Sequence, residues 1–151
     1  MTRIRQALIT DLDKIYKLEQ ECFISPWTME LLLLDIFGSE FNVYYVIEDE
    51  DGVFGYIGLN TILDEAHIRK LCIAEEKRRK GHATALLQFA EKKMAENGMY
   101  ALTLEVREHN QPAIRLYESF GFTPEGIRKD YYGNGEGAVI MWKRDIQCRK
   151  S

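Results

Sequence analysis

Between residues 66 and 106 the hydrophobic rhythm of the chain changes twice, and few architectures accommodate that. Residues 66–74 read as a strand. Apolar residues then recur at helical spacing over 84–97, where Ala83, Leu86, Leu87, Ala90 and Met94 form one stripe and Asn97-Gly98 supplies the stop. Residues 99–106 return to alternation, with Ala101 and Thr103 set against Leu102, Leu104 and Val106. A strand–helix–strand passage of this length is a βαβ-type unit. Its first turn is Arg78-Arg79-Lys80-Gly81-His82-Ala83. A basic, glycine-containing turn that opens a helix gathers free backbone N–H groups, the positive end of the helix dipole and side-chain cations. Gly81 lacks a Cβ and tolerates unusual backbone angles, so a ligand can come close. Two readings stay open from the turn alone: a phosphate or pyrophosphate cradle, and a solvated basic loop.

The remaining elements surround this unit. A strand over 3–8 leads to Thr10-Asp11-Leu12-Asp13, an N-cap signal for a helix over 11–23. Leu12, Ile15, Glu19 and Cys22 share one face of that helix, with Leu18 and Phe23 widening its apolar part. Ser25-Pro26-Trp27 breaks it, and Thr28 caps a second helix running to about Phe37. Three strands follow, over 42–48, 53–63 and 66–74, joined by Asp49-Glu50-Asp51-Gly52 and Asp64-Glu65. After the βαβ unit, Asn110 caps a helix over 111–120 with Pro112 in its first turn, and Gly121 closes it. Two last strands, 122–128 and 136–145, flank the aromatic loop Tyr131-Tyr132-Gly133-Asn134-Gly135. The order β-α-α-β-β-β-α-β-α-β-β predicts a single α/β domain over 1–151 with a mixed sheet.

Composition excludes several classes. A formal charge of −4 argues against a general nucleic-acid binder and suits a cationic acceptor. No apolar run approaches the ~18 residues of a membrane span, and Met-Thr-Arg-Ile-Arg-Gln holds no signal-peptide core. Cys22, Cys72 and Cys148 are odd in number and far apart, forming neither a disulfide framework nor a zinc pattern. A cytoplasmic protein with reduced thiols is expected. His67, His82 and His109 lack metal-ligand spacing and read as surface or loop histidines, so no metal site is expected. Neither GxGxxG, GxxxxGK[ST] nor GxSxG occurs.

Two separated motifs, in this order of elements, resemble the GNAT N-acetyltransferases, which use acetyl-coenzyme A. Arg78-x-x-Gly81-x-Ala83 matches the family's pyrophosphate pattern, and Asn110-x-x-Ala113-x-x-x-Tyr117-Glu118-x-x-Gly121-Phe122 matches its second signature. More narrowly, Ser25-Pro26-Trp27, Leu63-Asp64-Glu65-Ala66, Leu104-Glu105-Val106-Arg107, Leu116-Tyr117-Glu118 and Arg128-Lys129-Asp130-Tyr131-Tyr132 resemble the RimI-type enzymes. Those acetylate the N-terminal alanine of a ribosomal protein.

The resemblance implies that Arg79, Lys80, Gly81, His82, Ala83 and Thr84 hold the pyrophosphate of acetyl-CoA. It implies that the strand Leu71-Cys72-Ile73 serves the pantetheine arm and that Asn110 contacts the cofactor. Glu105 falls in the place of the base and Tyr117 in that of the acid; Trp27, Tyr131 and Tyr132 flank the acceptor site. Acetyl transfer needs a neutral amine, hence a base, and a proton for the departing thiolate. A carboxylate suits an α-amine, with a reference pKa of about 8, better than a lysine at about 10.4. Cys72 reads as a small strand residue, which favours direct transfer over an acyl-cysteine route. Read without the resemblance, Glu105 is more simply a strand residue on a solvated face, and Tyr117 is equally a core aromatic of an amphipathic helix. Asn110 and Tyr117 lie seven residues apart, about two helical turns, and so on nearly one face. The competing readings are a small-amine acetyltransferase on the same fold and a non-catalytic acyl-CoA-binding regulator. The expected partner is a ribosomal protein N-terminus, with no nucleic acid or membrane involved.

Overall fold

The computed structural model describes residues 1–147; Cys148 lies outside them. Seven strands form one sheet in the order β1-β2-β3-β4-β5-β7-β6. They are β1 (Arg3–Gln6), β2 (Asn42–Asp49), β3 (Gly52–Ile62), β4 (Glu65–Ile73), β5 (Ala101–Arg107), β6 (Thr123–Arg128) and β7 (Ala138–Arg144). The helices are α1 (Leu12–Cys22), α2 (Met29–Phe37), α3 (His82–Glu96) and α4 (Gln111–Ser119). The mixed α/β class and the element order expected from the sequence are those observed. All neighbouring strands are antiparallel except β4 and β5, the parallel pair of the βαβ unit.

Strand alternation assigns the helices to the two faces. Adjacent residues Tyr44 and Tyr45 of β2 point to opposite sides. The Tyr44 hydroxyl donates to Asp35 of α2, while Tyr45 meets Phe89 of α3 edge-on at 5.1 Å. Helix α1 therefore packs with α2 on one face and α3 covers the other. The stripe Leu86, Leu87, Ala90 and Met94 is buried as its spacing predicts. Each of its large side chains contributes about 1.5–3 kcal/mol by leaving water. Thr28 and Asn110 both cap as expected, accepting from Leu31 N and Ala113 N, each at 3.2 Å.

Three expectations are corrected. Thr10 does not cap α1: residues Ile9–Asp11 form a 3-10 turn instead, and the buried Asp11 carboxylate takes Leu8 N at 2.7 Å and the Arg5 guanidinium. Helix α3 begins at His82, two residues early, because Gly81 adopts φ +80° and starts the helix at once. Cys22 and Cys72 are joined in a disulfide with their Cα atoms 6.1 Å apart, so these thiols are not the reduced pair expected. Helix α1 ends over β4, and a separation of 50 residues in sequence carries no information about that crossing.

Candidate active site

Strands β4 and β5 pair only at Glu65↔Ala101, Ala66↔Leu102 and His67↔Thr103. Beyond His67 strand β4 bulges: Ile68 faces Leu59 and Lys70 faces Gly58, leaving Arg69 as the extra residue. The two strands run on to Ile73 and Arg107 without pairing, and backbone groups on their facing edges are left for something else to satisfy. Two cavities occupy the opening, of about 530 and 630 Å³. They share Cys22, Leu71, Asn110, Ala113 and Tyr117 as a common wall.

The first cavity gathers most of the residues assigned to the cofactor. Leu71, Cys72 and Ile73 line one side, Arg79, Gly81, His82, Ala83 and Thr84 another, and Asn110 and Tyr117 a third; Lys80 is not among the lining residues. Arg79 at φ +65° and Gly81 at φ +80° turn the backbone on itself just before the helix. A Cβ added at Gly81 would meet nothing within 4 Å, so glycine is needed there for the angle and not for want of room. The first backbone N–H groups of α3 have no partner within the helix, and its first turn carries no acidic residue. With the dipole behind them, they present the donors and the positive end that an anion would need. Arg78 Nε donates to Ile73 O at 2.9 Å, fastening the turn to the end of β4. The His82 ring packs edge-on against Phe54 at 4.7 Å. The disulfide leaves Cys72 without a thiol to act as a nucleophile.

The second cavity, on the α1 face, brings together Trp27, Glu105, Tyr117 and Tyr132; Tyr131 is outside it and packs edge-on against Tyr132 at 5.0 Å. A buried carboxylate organises its wall. Glu19, 1% exposed, accepts from Lys70 Nζ at 2.7 Å through both oxygens, from the Tyr56 hydroxyl at 2.6 Å and from Trp27 N at 2.8 Å. Lys70 Nζ also sits over the Trp27 ring, 3.7 Å from its centroid. Burial lowers the Lys70 pKa, against the pull of Glu19. Arg69 pairs with Asp35 at 2.7 Å, and Arg107 lies over the Tyr132 ring at 4.1 Å. The lining is therefore not acidic: Arg69, Lys70 and Arg107 stand beside Glu19 and Glu105.

Tyr117 packs against Phe122 at 5.7 Å, and its hydroxyl has no hydrogen-bond partner among the described residues. Burial, with Tyr132 nearby, pushes its pKa up to about 12, so it keeps its proton at neutral pH. Glu105 receives His67, with Nε2 2.5 Å from Oε2. His67 is thus a partly exposed strand residue bonded across the sheet rather than a loop histidine. His109 is exposed as expected and reaches Glu136. No group of three or more potential metal ligands gathers among the described residues.

Sequence reasoning missed Glu19, Lys70 and His67. For Glu19 the available signal was a carboxylate on the apolar face of α1; nothing in the sequence announces the Lys70 contact, which depends on the bulge at Arg69, or the His67 bond, which depends on the β4–β5 register.

Residues 12–122 match the profile of the Acetyltransferase (GNAT) family. A Bacillus subtilis (strain 168) protein provisionally named for alanine N-acetylation of ribosomal protein bS18 is 37% identical over 140 residues, 92% of this chain and 93% of its own. The Escherichia coli (strain K12) ribosomal protein bS18-alanine N-acetyltransferase is 30% identical over 144 residues, 93% of this chain and 96% of its own. A crystal structure of the E. coli ribosomal-protein-S18-alanine N-acetyltransferase superposes with a TM-score of 0.89 at 28% identity, covering 100% of this chain and 97% of that one. Sheet order, the helix-opening turn and these matches agree: the chain belongs to the GNAT acetyltransferase family.

Proposed function

We propose that this protein, acting as one cytoplasmic domain, moves the acetyl group of acetyl-CoA to the N-terminal α-amine of a ribosomal protein, with alanine as the acceptor residue. Acetyl-CoA occupies the first cavity, its pyrophosphate on the amides opening α3 and its pantetheine arm along Leu71–Ile73. The peptide enters the second cavity between Trp27 and Tyr132. Glu105 takes a proton from the α-amine, the amine nitrogen bonds to the thioester carbonyl carbon, and the carbon–sulfur bond breaks. Tyr117 gives its proton to the departing thiolate. The relatives named for bS18-alanine acetylation support the acceptor, and a tyrosine that still holds its proton supports the acid.

One observation carries the reading: Tyr117 lines both cavities while Glu105 lines the second, so acid and base border the place where the two substrates meet. A non-catalytic regulator leaves this pair without a purpose. Acetyl transfer from acetyl-CoA should be measured to an alanine-starting peptide, to the same peptide N-terminally blocked but carrying a lysine, and to a panel of polyamines and aminoglycosides. Product is expected on the free α-amine peptide alone. Turnover confined to the small amines would replace the peptide reading.

A further inference from the structure

We propose that His67 is a positioning residue of this reaction, holding the Glu105 carboxylate by one oxygen so that the other is presented to the acceptor amine; the proposal rests on Glu105 being the base. His67 occupies the last β4 position paired to β5, opposite Thr103. Glu105 lies two residues further along β5, on the same side of the strand, where β4 has begun to bulge away. The imidazole crosses the gap at the point where the parallel ladder stops, tying the two strands where backbone hydrogen bonds no longer do.

The base role sets the sense of the bond: a carboxylate that is to take a proton can only accept, so Nε2 is then the donor and Oε2 the acceptor. Oε1 receives nothing from any described residue, and Glu105 lines the acceptor cavity. A glutamate on a strand has three side-chain torsions, and its terminal one is broad. Fixed through Oε2 to a residue on a second strand, it loses that freedom before substrate arrives. His67 is absent from the cavity lining, so it acts through Glu105 and not on the acceptor. Its side chain is 32% exposed and that of Glu105 15%. A ring at so open a position adds little to the core, and among the described residues its side chain hydrogen-bonds to Glu105 alone.

Misplacing a reacting group by about 1 Å can slow a reaction ~10²-fold. His67→Ala should therefore lower kcat by roughly 10- to 100-fold, with the peptide KM and the acetyl-CoA Kd within about twofold of the parent. His67→Gln can place an amide N–H near the position of Nε2 and should recover most of the loss. Rates are read by mass spectrometry of an alanine-starting peptide, which resolves slow variants, and acetyl-CoA binding by calorimetry reports that each variant is folded. In a Glu105→Gln background, His67→Ala should cause no further fall, because the group it orients is gone. A His67→Ala kcat within twofold of the parent would overturn the proposal. So would a Gln variant no better than the Ala variant, or an undiminished effect in the Glu105→Gln background. Near-normal turnover by Glu105→Gln alone removes the base reading and this proposal with it, whereas a slow Glu105→Gln beside a normal His67→Ala removes this proposal only.

Discussion

The two cavities that meet at Tyr117 are built from different materials. The first is a backbone site: a turn with two positive-φ residues, the opening amides of α3 and the unpaired stretch of β4. Its residues lie within short stretches of chain, and its chemistry needs few particular side chains. The second is a side-chain site. Tyr56 on β3, Lys70 on β4 and the backbone of Trp27 converge on the Glu19 carboxylate of α1 from separations of up to 51 residues. A backbone cradle tolerates substitution of the residues around it, whereas a buried charge network fails as a unit. On the proposed function, the first half can serve any acyl-CoA enzyme of this fold, and the second can be rebuilt for a new acceptor.

The sharpest way to break that contrast is to remove the centre of the network. Glu19→Ala strands the Lys70 ammonium in a buried site and leaves the Tyr56 hydroxyl and Trp27 N–H without their acceptor. Losing one partner of a buried pair costs about 3–5 kcal/mol. Urea unfolding should show a loss of that size, and the folded fraction should bind acetyl-CoA normally while its peptide KM rises. If acetyl-CoA affinity fell in parallel, the two halves would be one structure. Next in size is Tyr117→Phe, at the shared wall. It retains the packing on Phe122 and removes only the proton donor, so kcat should fall on the order of 10²-fold with both substrates still bound. An unchanged kcat in single-turnover assays would take the acid role from Tyr117.

The same division explains what could be read from the chain. Periodicity placed β2 to β5, α3 and α4 within a residue or two, because each obeys a local rule of spacing or capping, as at Thr28 and Asn110. The turn from Arg78 to Ala83 was legible for the same reason: its function is a backbone shape that consecutive residues encode. Lys70 was not, since whether a lysine on a strand faces solvent or Glu19 depends on the bulge at Arg69, which shifts the alternation of β4. The Cys22–Cys72 bond and the His67–Glu105 contact were hidden likewise. Each joins elements whose adjacency is set by the whole sheet order, and no window of sequence holds both partners.

The smallest expected effect tests the backbone half on its own terms. At Gly81 there is open space for a methyl group, so the consequence of Gly81→Ala is the backbone angle alone. An L-residue held in the left-handed region costs roughly 1–2 kcal/mol. The chain can carry that strain and keep its cradle, or relax φ and turn the first amides of α3 away from the cavity. Strain retained appears as a stability loss of about that size with acetyl-CoA affinity intact. Relaxation appears as an affinity loss of about tenfold, close to the same energy, with stability kept. We expect the second, because α3 has no side-chain cap hydrogen bond to hold its first turn when φ at residue 81 relaxes. Calorimetric titration of acetyl-CoA beside thermal unfolding separates the outcomes, and normal affinity with normal stability would show that the cradle does not depend on this angle.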